Sequence, residues 1–196
     1  MLDYSIENQL HEEGYEVVCG IDEAGRGPLC GPVFAAACIL PDGLVLEGLN
    51  DSKKLTPKKR DKLFDLICEN AIAYCIASAS VEEINELNIL EADLLAMRRA
   101  IDGLSVKADF ALIDGNIARG FQIPAKAIIG GDAKSPSIAA ASILAKVARD
   151  RDCIALDEQY PQYGIAKHKG YGTKQHMDAL RTYGPSQFTA SNLFVF

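Results

Sequence analysis

Short apolar runs alternate with stretches of helical periodicity along this chain. The β-prone runs cover residues 15–21, 32–40, 71–79, 108–113 and 122–129. Glycine, proline or polar residues bound these runs, which is typical of buried strands. The pattern predicts five strands, of which the first two are joined by a glycine-rich loop.

Helix-capping residues mark five further elements between and after these runs. Proline follows two of the caps at a position that suits the first helical turn. The predicted caps are Thr56, Ser80, Asn88, Ser135 and Thr173. We expect the helices after Thr56 and Ser135 to end near residues 69 and 159, and the last helix to end at Gly184. Early strands followed by alternating helices favour an α/β sandwich with a mixed sheet.

The composition is that of an ordinary globular domain. The chain has 196 residues, of which 48% are hydrophobic and 24% are charged. These values exclude the disordered, collagen-like and coiled-coil classes. The chain shows no repeat or linker, so we expect a single domain over residues 1–196 with a short C-terminal helical extension.

The chain also lacks signals for export or membrane insertion. Its longest uninterrupted apolar run, residues 33–40, has eight residues, whereas a membrane-spanning helix needs about twenty. The six cysteines form no C-x-x-C pair that could bind zinc, and we interpret them as reduced core residues. We therefore expect a cytoplasmic protein with no membrane partner.

Acidic residues follow three of the predicted strands. They are Asp22 with Glu23, then Asp114, then Asp132. Strand ends lie side by side at one edge of an α/β sheet, so these carboxylates can converge. Their mutual repulsion would then require cations, and hard oxygen ligands select Mg²⁺ or Mn²⁺. Two such ions, about 3.5–4 Å apart, would clamp the two oxygens of an in-line phosphodiester displacement. Taken singly, each residue could instead be an ordinary turn or cap residue.

The glycine-rich loop places Arg26 between Gly25 and Gly27. Backbone N–H groups in such a loop can approach a sugar or a phosphate closely. The spacing matches neither a dinucleotide-binding loop nor a P-loop. On its own, the loop could also be a simple tight turn.

The net charge of −7 hides an uneven distribution of charge. Residues 51–62 contain six basic and two acidic residues, whereas acidic residues concentrate in 82–93. A second patch, free of acids, contains Lys167, Lys169 and Lys174 with His168 and His176, and Tyr171 lies between two glycines within it. Such patches can bind phosphates and stack on a base or sugar, although runs of charge are often only solvated faces.

Several motifs in a fixed order together resemble a known family, ribonuclease HII, the prokaryotic type 2 ribonuclease H. The motifs are GIDEAGRGP at 20–28, GPV at 31–33, DSKKL at 51–55, IDGN at 113–116, GDAKS at 131–135, ASILAKVARD at 141–150 and GYGTKQH at 170–176. The resemblance covers about residues 17–185. It implies a ribonuclease H-like α/β fold, with a central mixed β-sheet flanked by helices.

The resemblance also implies an activity. The enzyme would hydrolyse the RNA strand of RNA–DNA hybrids and cleave on the 5′ side of single ribonucleotides embedded in duplex DNA. Products would carry 3′-hydroxyl and 5′-phosphate ends, the cofactor would be Mn²⁺ or Mg²⁺, and the protein would act as a monomer in ribonucleotide excision.

Roles for individual residues follow from the matched motifs. The metal-binding catalytic carboxylates would be Asp22, Glu23, Asp114 and Asp132. The group that senses the junction between RNA and DNA would be Gly25, Arg26, Gly27 and Tyr171. The loop would contact the ribose 2′-hydroxyl, which distinguishes RNA from DNA, and the tyrosine would stack on the next deoxyribose. Further phosphate contacts would come from Lys53, Lys54 and Lys146.

The C-terminus departs from the family pattern. Family members commonly carry a His-Arg-x-Ser-Phe segment after the last helix, whereas this chain has FTASNLF at 188–194. The missing basic pair leaves the catalytic group unchanged but puts in doubt how segment 186–196 meets the substrate.

Three alternative functions remain open from the residues alone. One is a DNA-directed nuclease or recombinase of the same fold. Another is a non-catalytic RNA–DNA hybrid-binding module, although four anions facing phosphates would weaken such binding. The third is a metal-dependent hydrolase of small molecules, which would not need the lysine patches or Tyr171.

Overall fold

The computed structural model describes residues 2–190 of the chain. The strands are β1 (Val18–Ala24), β2 (Val33–Ile39), β3 (Ala73–Ala79), β4 (Phe110–Asp114) and β5 (Ala125–Ile128). The helices are α1 (Ser5–Glu12), α2 (Pro57–Asn70), α3 (Val81–Leu87), α4 (Ile89–Asp102), α5 (Pro136–Gln159), α6 (Ile165–His168) and α7 (Lys174–Tyr183). Short 3₁₀ turns occupy Ser52–Lys54, Gly131–Ala133 and Pro161–Tyr163.

The strands form one mixed sheet in the order β3-β2-β1-β4-β5. The β1–β2 and β2–β3 pairs are antiparallel, whereas β1–β4 and β4–β5 are parallel. The predicted mixed α/β sheet is therefore confirmed, and β1 is its central strand.

Helices cover both faces of the sheet. On one face, Leu94 and Met97 of α4 pack against strand residues such as Ile21 and Ile113. On the other face, α5 and α2 pack against residues of β2 that include Ala36 and Cys38. Because both faces are covered, the central strands are apolar over almost their whole length.

Helix α5 crosses β1 at Gly20. A Cβ atom at this position would lie 2.1 Å from the backbone carbon of Ser137 and 2.3 Å from the backbone nitrogen of Ile138. Only glycine permits this separation between helix and strand. This close approach sets the first turn of α5 against the middle of β1, two residues before Asp22.

The helix predictions are confirmed. Side chains of all five predicted caps accept hydrogen bonds from backbone N–H groups in the first turn of their helices. Helices α2, α5 and α7 end within a residue of the expected positions. Helices α1 and α6 and the 3₁₀ turns were not predicted.

The boundaries of the first strand were wrong. The strand β1 begins at Val18 rather than at residue 15 and continues through Asp22 and Glu23 to Ala24. Before Val18, the N–H groups of Glu16 and Val17 donate to the carboxylate of Asp109, at 2.8 and 3.0 Å. A side chain therefore replaces the strand ladder there, and the two acidic residues lie within the strand rather than after it.

The cysteines and the helices of residues 2–190 bear on the expected redox state and on the expected lack of a membrane span. All six cysteines are free, and four of them are buried. No helix within residues 2–190 is long and apolar enough to span a membrane.

Candidate active site

Two carboxylates lie side by side on neighbouring parallel strands. The register pairs Ile21 of β1 with Ile113 of β4, so Asp22 and Asp114 follow at the same level of the sheet. Asp22 is only 4% exposed, and its Oδ1 atom accepts a hydrogen bond from the N–H of Glu23 at 2.7 Å. The hydroxyl group of Ser142 on α5 lies near the Asp22 carboxylate and opposes the rise in its pKa.

Asp114 connects this pair to the third acidic position. Its Oδ1 atom accepts hydrogen bonds from the N–H groups of Gly131 at 2.6 Å and Asp132 at 3.4 Å. These bonds hold the 3₁₀ turn that carries Asp132 against the end of β4. Three separate segments therefore bring Asp22, Asp114 and Asp132 to one edge of the sheet.

Glu23 lies beside this group but projects toward the other face. Successive side chains of a strand point to opposite faces, so Asp22 faces α5 and Glu23 faces α4. There the Oε1 atom of Glu23 lies 3.7 Å from Nη1 of Arg26, and Nε of Arg26 lies 3.5 Å from Oδ2 of Asp93. Arg26 thus bridges two acidic groups at the rim of the site.

The carboxylates repel one another strongly. Burial, together with the charges of Glu23 and Asp114, raises the pKa of Asp22 well above its usual value. Burial also raises the pKa of Glu23, despite the opposing charge of Arg26. Burial and the charge of Asp114 raise the pKa of Asp132. The protein therefore leaves much of this negative charge uncompensated.

Lys53 is the basic side chain that responds most directly to this charge. Partial burial would lower the pKa of its ammonium group, but the surrounding carboxylates raise it overall. Those carboxylates are Asp22, Asp132, Asp51 and Asp114. The Lys53 ammonium group is consequently held beside the carboxylates, where it can also bind a phosphate.

The donor set is suited to a hard divalent cation. All four predicted ligands offer carboxylate oxygens, which Mg²⁺ and Mn²⁺ prefer. Burial is the first cause of the raised pKa values of Asp22, Glu23 and Asp132, and repulsion from neighbouring carboxylates, which a bound cation would relieve, also contributes. Within residues 2–190, no three His, Cys, Asp or Glu side chains are arranged as a ready coordination group. A hard divalent cation therefore suits this site through its carboxylate oxygens and through the convergence of β1 and β4.

The GRG loop (residues 25–27) and the GYG segment (residues 170–172) form one wall of the site. The N–H of Leu29 donates to the carbonyl of Gly170 at 2.9 Å, and a Cβ atom at Gly27 would lie 3.4 Å from Cε1 of Tyr171. Gly25 has φ +125° and lies against Arg149, so a side chain here would be strained and would meet Nε of Arg149 at 2.8 Å. Loop and tyrosine are therefore held as one unit.

Arg149 holds the two segments of this wall together from the protein interior. It is 2% exposed, and it donates to the carbonyls of Lys169 at 3.0 Å and Cys30 at 3.3 Å. These carbonyls belong to the residue before the GYG segment and to the loop after Gly27. One buried guanidinium thus fixes the backbone on both sides of the wall.

The expected second basic patch is only partly correct. His168 and His176 are buried, and their rings stack with centroids 4.4 Å apart. His168 bonds the carbonyl of Tyr163, and His176 bonds that of Tyr171. The histidines therefore hold the GYG segment in place instead of presenting charge to a phosphate.

Most of the predicted residues share one cleft of about 160 Å³. Those that line it are Asp22, Glu23, Gly25, Arg26, Gly27, Lys53, Lys146 and Tyr171. Asp114 and Asp132 adjoin it through the contacts given above. Lys54 lies outside it, paired with Asp51 at 3.6 Å, and Lys146 is paired with Asp150 at 2.7 Å.

The part of the C-terminal segment that is described packs on the loop after Gly27. The N–H of Gly31 donates to the carbonyl of Phe188 at 2.8 Å, and the N–H of Ala190 donates to the carbonyl of Leu29 at 3.1 Å. The rest of the divergent segment, residues 191–196, lies outside the described residues.

Sequence reasoning missed four residues at this site. Asp51 is a near neighbour of Asp132, and its charge helps to raise the pKa of that carboxyl group. Ser142 lies beside Asp22 and contacts Ser52, and Arg149 supports the wall. Asp93 was assigned to an acidic stretch away from the site, which was wrong. Its position three residues before Ala96 and four before Met97, on the apolar face of α4, is the signal that could have identified it.

Comparison with known proteins places the chain beside one family. The sequence matches the family described as Ribonuclease HII over residues 19–194. A ribonuclease HII from Burkholderia thailandensis is 58% identical over 172 residues, which cover 88% of this chain and 80% of that protein.

Solved structures share the fold. The ribonuclease H2 from Pyrococcus horikoshii OT3 has a TM-score of 0.74 and 27% identity, covering 90% of this chain and 93% of that one. The Bst ribonuclease HIII in complex with Mn²⁺ has a TM-score of 0.67 and 17% identity, covering 89% of this chain and 65% of that one. The second likeness concerns the fold alone, and both agree with the expected ribonuclease H-like architecture.

Proposed function

The chain belongs to the ribonuclease HII family of metal-dependent endoribonucleases, and we propose that it cleaves RNA in RNA–DNA hybrids and at single ribonucleotides in duplex DNA. Cleavage occurs on the 5′ side of the lone ribonucleotide. It uses two divalent ions and leaves 3′-hydroxyl and 5′-phosphate ends. The proposed active unit is the monomer, because Asp22, Glu23, the GRG loop and Tyr171 line one cleft within a single chain.

One observation carries this proposal. The buried carboxylates of Asp22 and Asp114 lie level on neighbouring strands, and the cleft that Asp22 lines is walled by the GRG loop and Tyr171. A site for phosphodiester chemistry thus adjoins a site that can examine a sugar. This adjacency supports cleavage directed by the ribose rather than by base sequence.

The carboxylates of Asp22, Glu23, Asp114 and Asp132 would hold the cations. When bound, Mg²⁺ or Mn²⁺ supplies Lewis-acid stabilisation of the phosphate charge and makes a water more acidic. Mn²⁺ is included because the Bst ribonuclease HIII, which has the same fold, was crystallised with it. Asp132, whose pKa is raised, would orient a water or accept its proton.

The remaining residues bind and orient the nucleic acid. Lys53 offers its ammonium group to a phosphate next to the carboxylates, and Lys54 and Lys146 extend the basic surface. The backbone of Gly25 and Gly27 and the side chain of Arg26 contact the ribose 2′-hydroxyl. Tyr171, which is 49% exposed, stacks on the deoxyribose that follows.

A cleavage assay tests the proposal against its main rival, a DNA-directed nuclease. Three labelled duplexes are compared: DNA–DNA, RNA–DNA, and DNA carrying one ribonucleotide. Each is incubated with Mg²⁺, with Mn²⁺ or with a chelator. We expect cleavage of the two substrates that contain ribose, only with a divalent ion. Cleavage of DNA–DNA, or cleavage in the chelator, would contradict the proposal.

Replacing either central carboxylate tests the assigned roles. We expect Asp22→Asn and Asp114→Asn to lower kcat about 100-fold or more, because each removes a ligand for the charge-stabilising cation. Measured in chelator, Asp22→Asn should also raise the melting temperature by about 2–4 °C, because a buried charge is neutralised. Asp65→Asn on the exposed face of α2 is the matched control. Full activity in either variant would reject the assignment.

A further inference from the structure

Asp93 is an acidic side chain in the buried face of α4. It is 2% exposed, and the other buried residues of this helix are apolar: Ala92, Leu94, Ala96, Met97 and Ala100. Its Oδ1 atom has no hydrogen-bond partner in the described part of the chain. A buried carboxyl group with an unsatisfied oxygen costs stability. Packing alone would favour an apolar residue at this position.

The partner of Asp93 is the arginine of the GRG loop. Nε of Arg26 lies 3.5 Å from Oδ2 of Asp93, while Nη1 lies 3.7 Å from Oε1 of Glu23. The Arg26 side chain is 44% exposed, whereas that of Asp93 is 2% exposed. The guanidinium therefore extends from a surface loop to an anchor within the core, and two carboxyl groups on different elements fix its direction.

The free-energy cost of burying the Asp93 carboxyl group favours a role for this side chain other than stabilising the fold. Buried ion pairs are often no more stabilising than well-packed apolar groups, because the charges must lose their hydration. Packing and stability therefore do not account for an acidic residue at this position. The contact that the structure gives the Asp93 carboxyl group is with the guanidinium of Arg26.

We propose that Asp93 is a positioning residue for Arg26 and thereby sets the preference for a lone ribonucleotide over a continuous hybrid. The inference rests on the proposed function, in which Arg26 contacts the ribose. A lone ribonucleotide presents one 2′-hydroxyl, so cleavage depends on one alignment of the loop. A continuous hybrid presents a 2′-hydroxyl in every register and tolerates a misplaced arginine.

A double-mutant cycle tests this coupling. The variants are Asp93→Ala, Arg26→Ala and the double variant, with Asp93→Asn as a milder change and Glu86→Gln on neighbouring α3 as the control. For each, kcat and KM are measured on the lone-ribonucleotide duplex and on the continuous hybrid. Melting temperatures confirm that each variant is folded.

We expect Asp93→Ala to lower kcat/KM about tenfold on the lone ribonucleotide and less than threefold on the hybrid. Asp93→Asn keeps an oxygen that can accept a hydrogen bond from Nε of Arg26, so it should lose less kcat/KM on the lone ribonucleotide. In the Arg26→Ala background, removing Asp93 should change the ratio of kcat/KM on the lone ribonucleotide to kcat/KM on the hybrid less than twofold. An equal loss on both substrates, or the same loss with and without Arg26, would overturn the proposal.

The cycle also separates this inference from the proposed function. If the wild-type protein cleaves neither substrate, the proposed function fails. The coupling is then decided by affinity for the lone-ribonucleotide duplex relative to all-DNA duplex, measured in chelator. Asp93→Ala must lower that ratio only when Arg26 is present, and any other result removes the positioning role.

Discussion

At the scale of single residues, neighbours in the sequence serve different faces of the sheet. Asp22 and Glu23 are adjacent, yet strand alternation directs one toward α5 and the other toward Arg26 and α4. The motif predicts that both are acidic ligands, but it does not predict that Asp93 joins Glu23 and Arg26 on the face toward α4. That contact joins residues from separate elements, and only the packed structure reveals it.

Tyr171 provides a prediction about selectivity. Because the ring is held beside Gly27, Tyr171→Ala should lower kcat/KM at a lone ribonucleotide about tenfold while changing duplex affinity less than threefold. Cleavage kinetics and fluorescence anisotropy in chelator measure the two quantities. Tyr74→Ala, on the strand at the far side of the sheet, is the control. Equal losses in cleavage and affinity would argue against a sensing role.

His176 provides a prediction about pH. Burial lowers its pKa below the ordinary value of 6.5, so below about pH 6.5 the unfolded chain takes up a proton that the folded chain resists. The contribution of His176 to the free energy of unfolding should therefore fall as the pH decreases from 6.5 toward the folded pKa, while the buried carboxyl groups with raised pKa values contribute in the opposite direction. Urea unfolding of the wild type and of His176→Asn, which cannot be protonated in this range, isolates this contribution at several pH values. The stability of the wild type relative to His176→Asn should fall as the pH decreases, and a difference that does not change with pH would contradict the prediction.

At the scale of elements, local signals predicted the helices better than the strands. The helices that begin at Thr56, Ser135 and Thr173 follow from capping chemistry within a few residues of sequence. By contrast, α1 depends on a distant contact, since Oε1 of Glu7 accepts from Oγ of Ser135 at 2.6 Å. The start of β1 depends on Asp109. Such long-range contacts leave no local pattern in the sequence.

The close packing of α5 on β1 at Gly20 can be tested by substitution. Because a Cβ atom there would overlap the backbone of α5, Gly20→Ala should destabilise the protein by about 2–3 kcal/mol and impair cleavage by moving α5. Gly43→Ala is a useful control, since that site has φ +68° but open space. Denaturant unfolding compares the two variants. A Gly20→Ala variant no less stable than Gly43→Ala would show that α5 does not press on β1.

At the scale of the whole molecule, the uneven charge is the main electrostatic feature. The net charge is −7, yet Lys53 and Lys146 line the cleft beside the carboxylates. The fold class and the carboxylate group could be predicted from ordered motifs. The wall held by Arg149 and the anchor at Asp93 could not, because each joins segments far apart in sequence.

Diffraction from crystals soaked in Mn²⁺ tests the central claim most directly. The claim is that the carboxylates at the ends of β1 and β4 act together by binding divalent ions. Anomalous difference maps should show Mn²⁺ between the side chains of Asp22 and Asp114. Finding these two carboxylates apart, with no ion between them, would contradict the account.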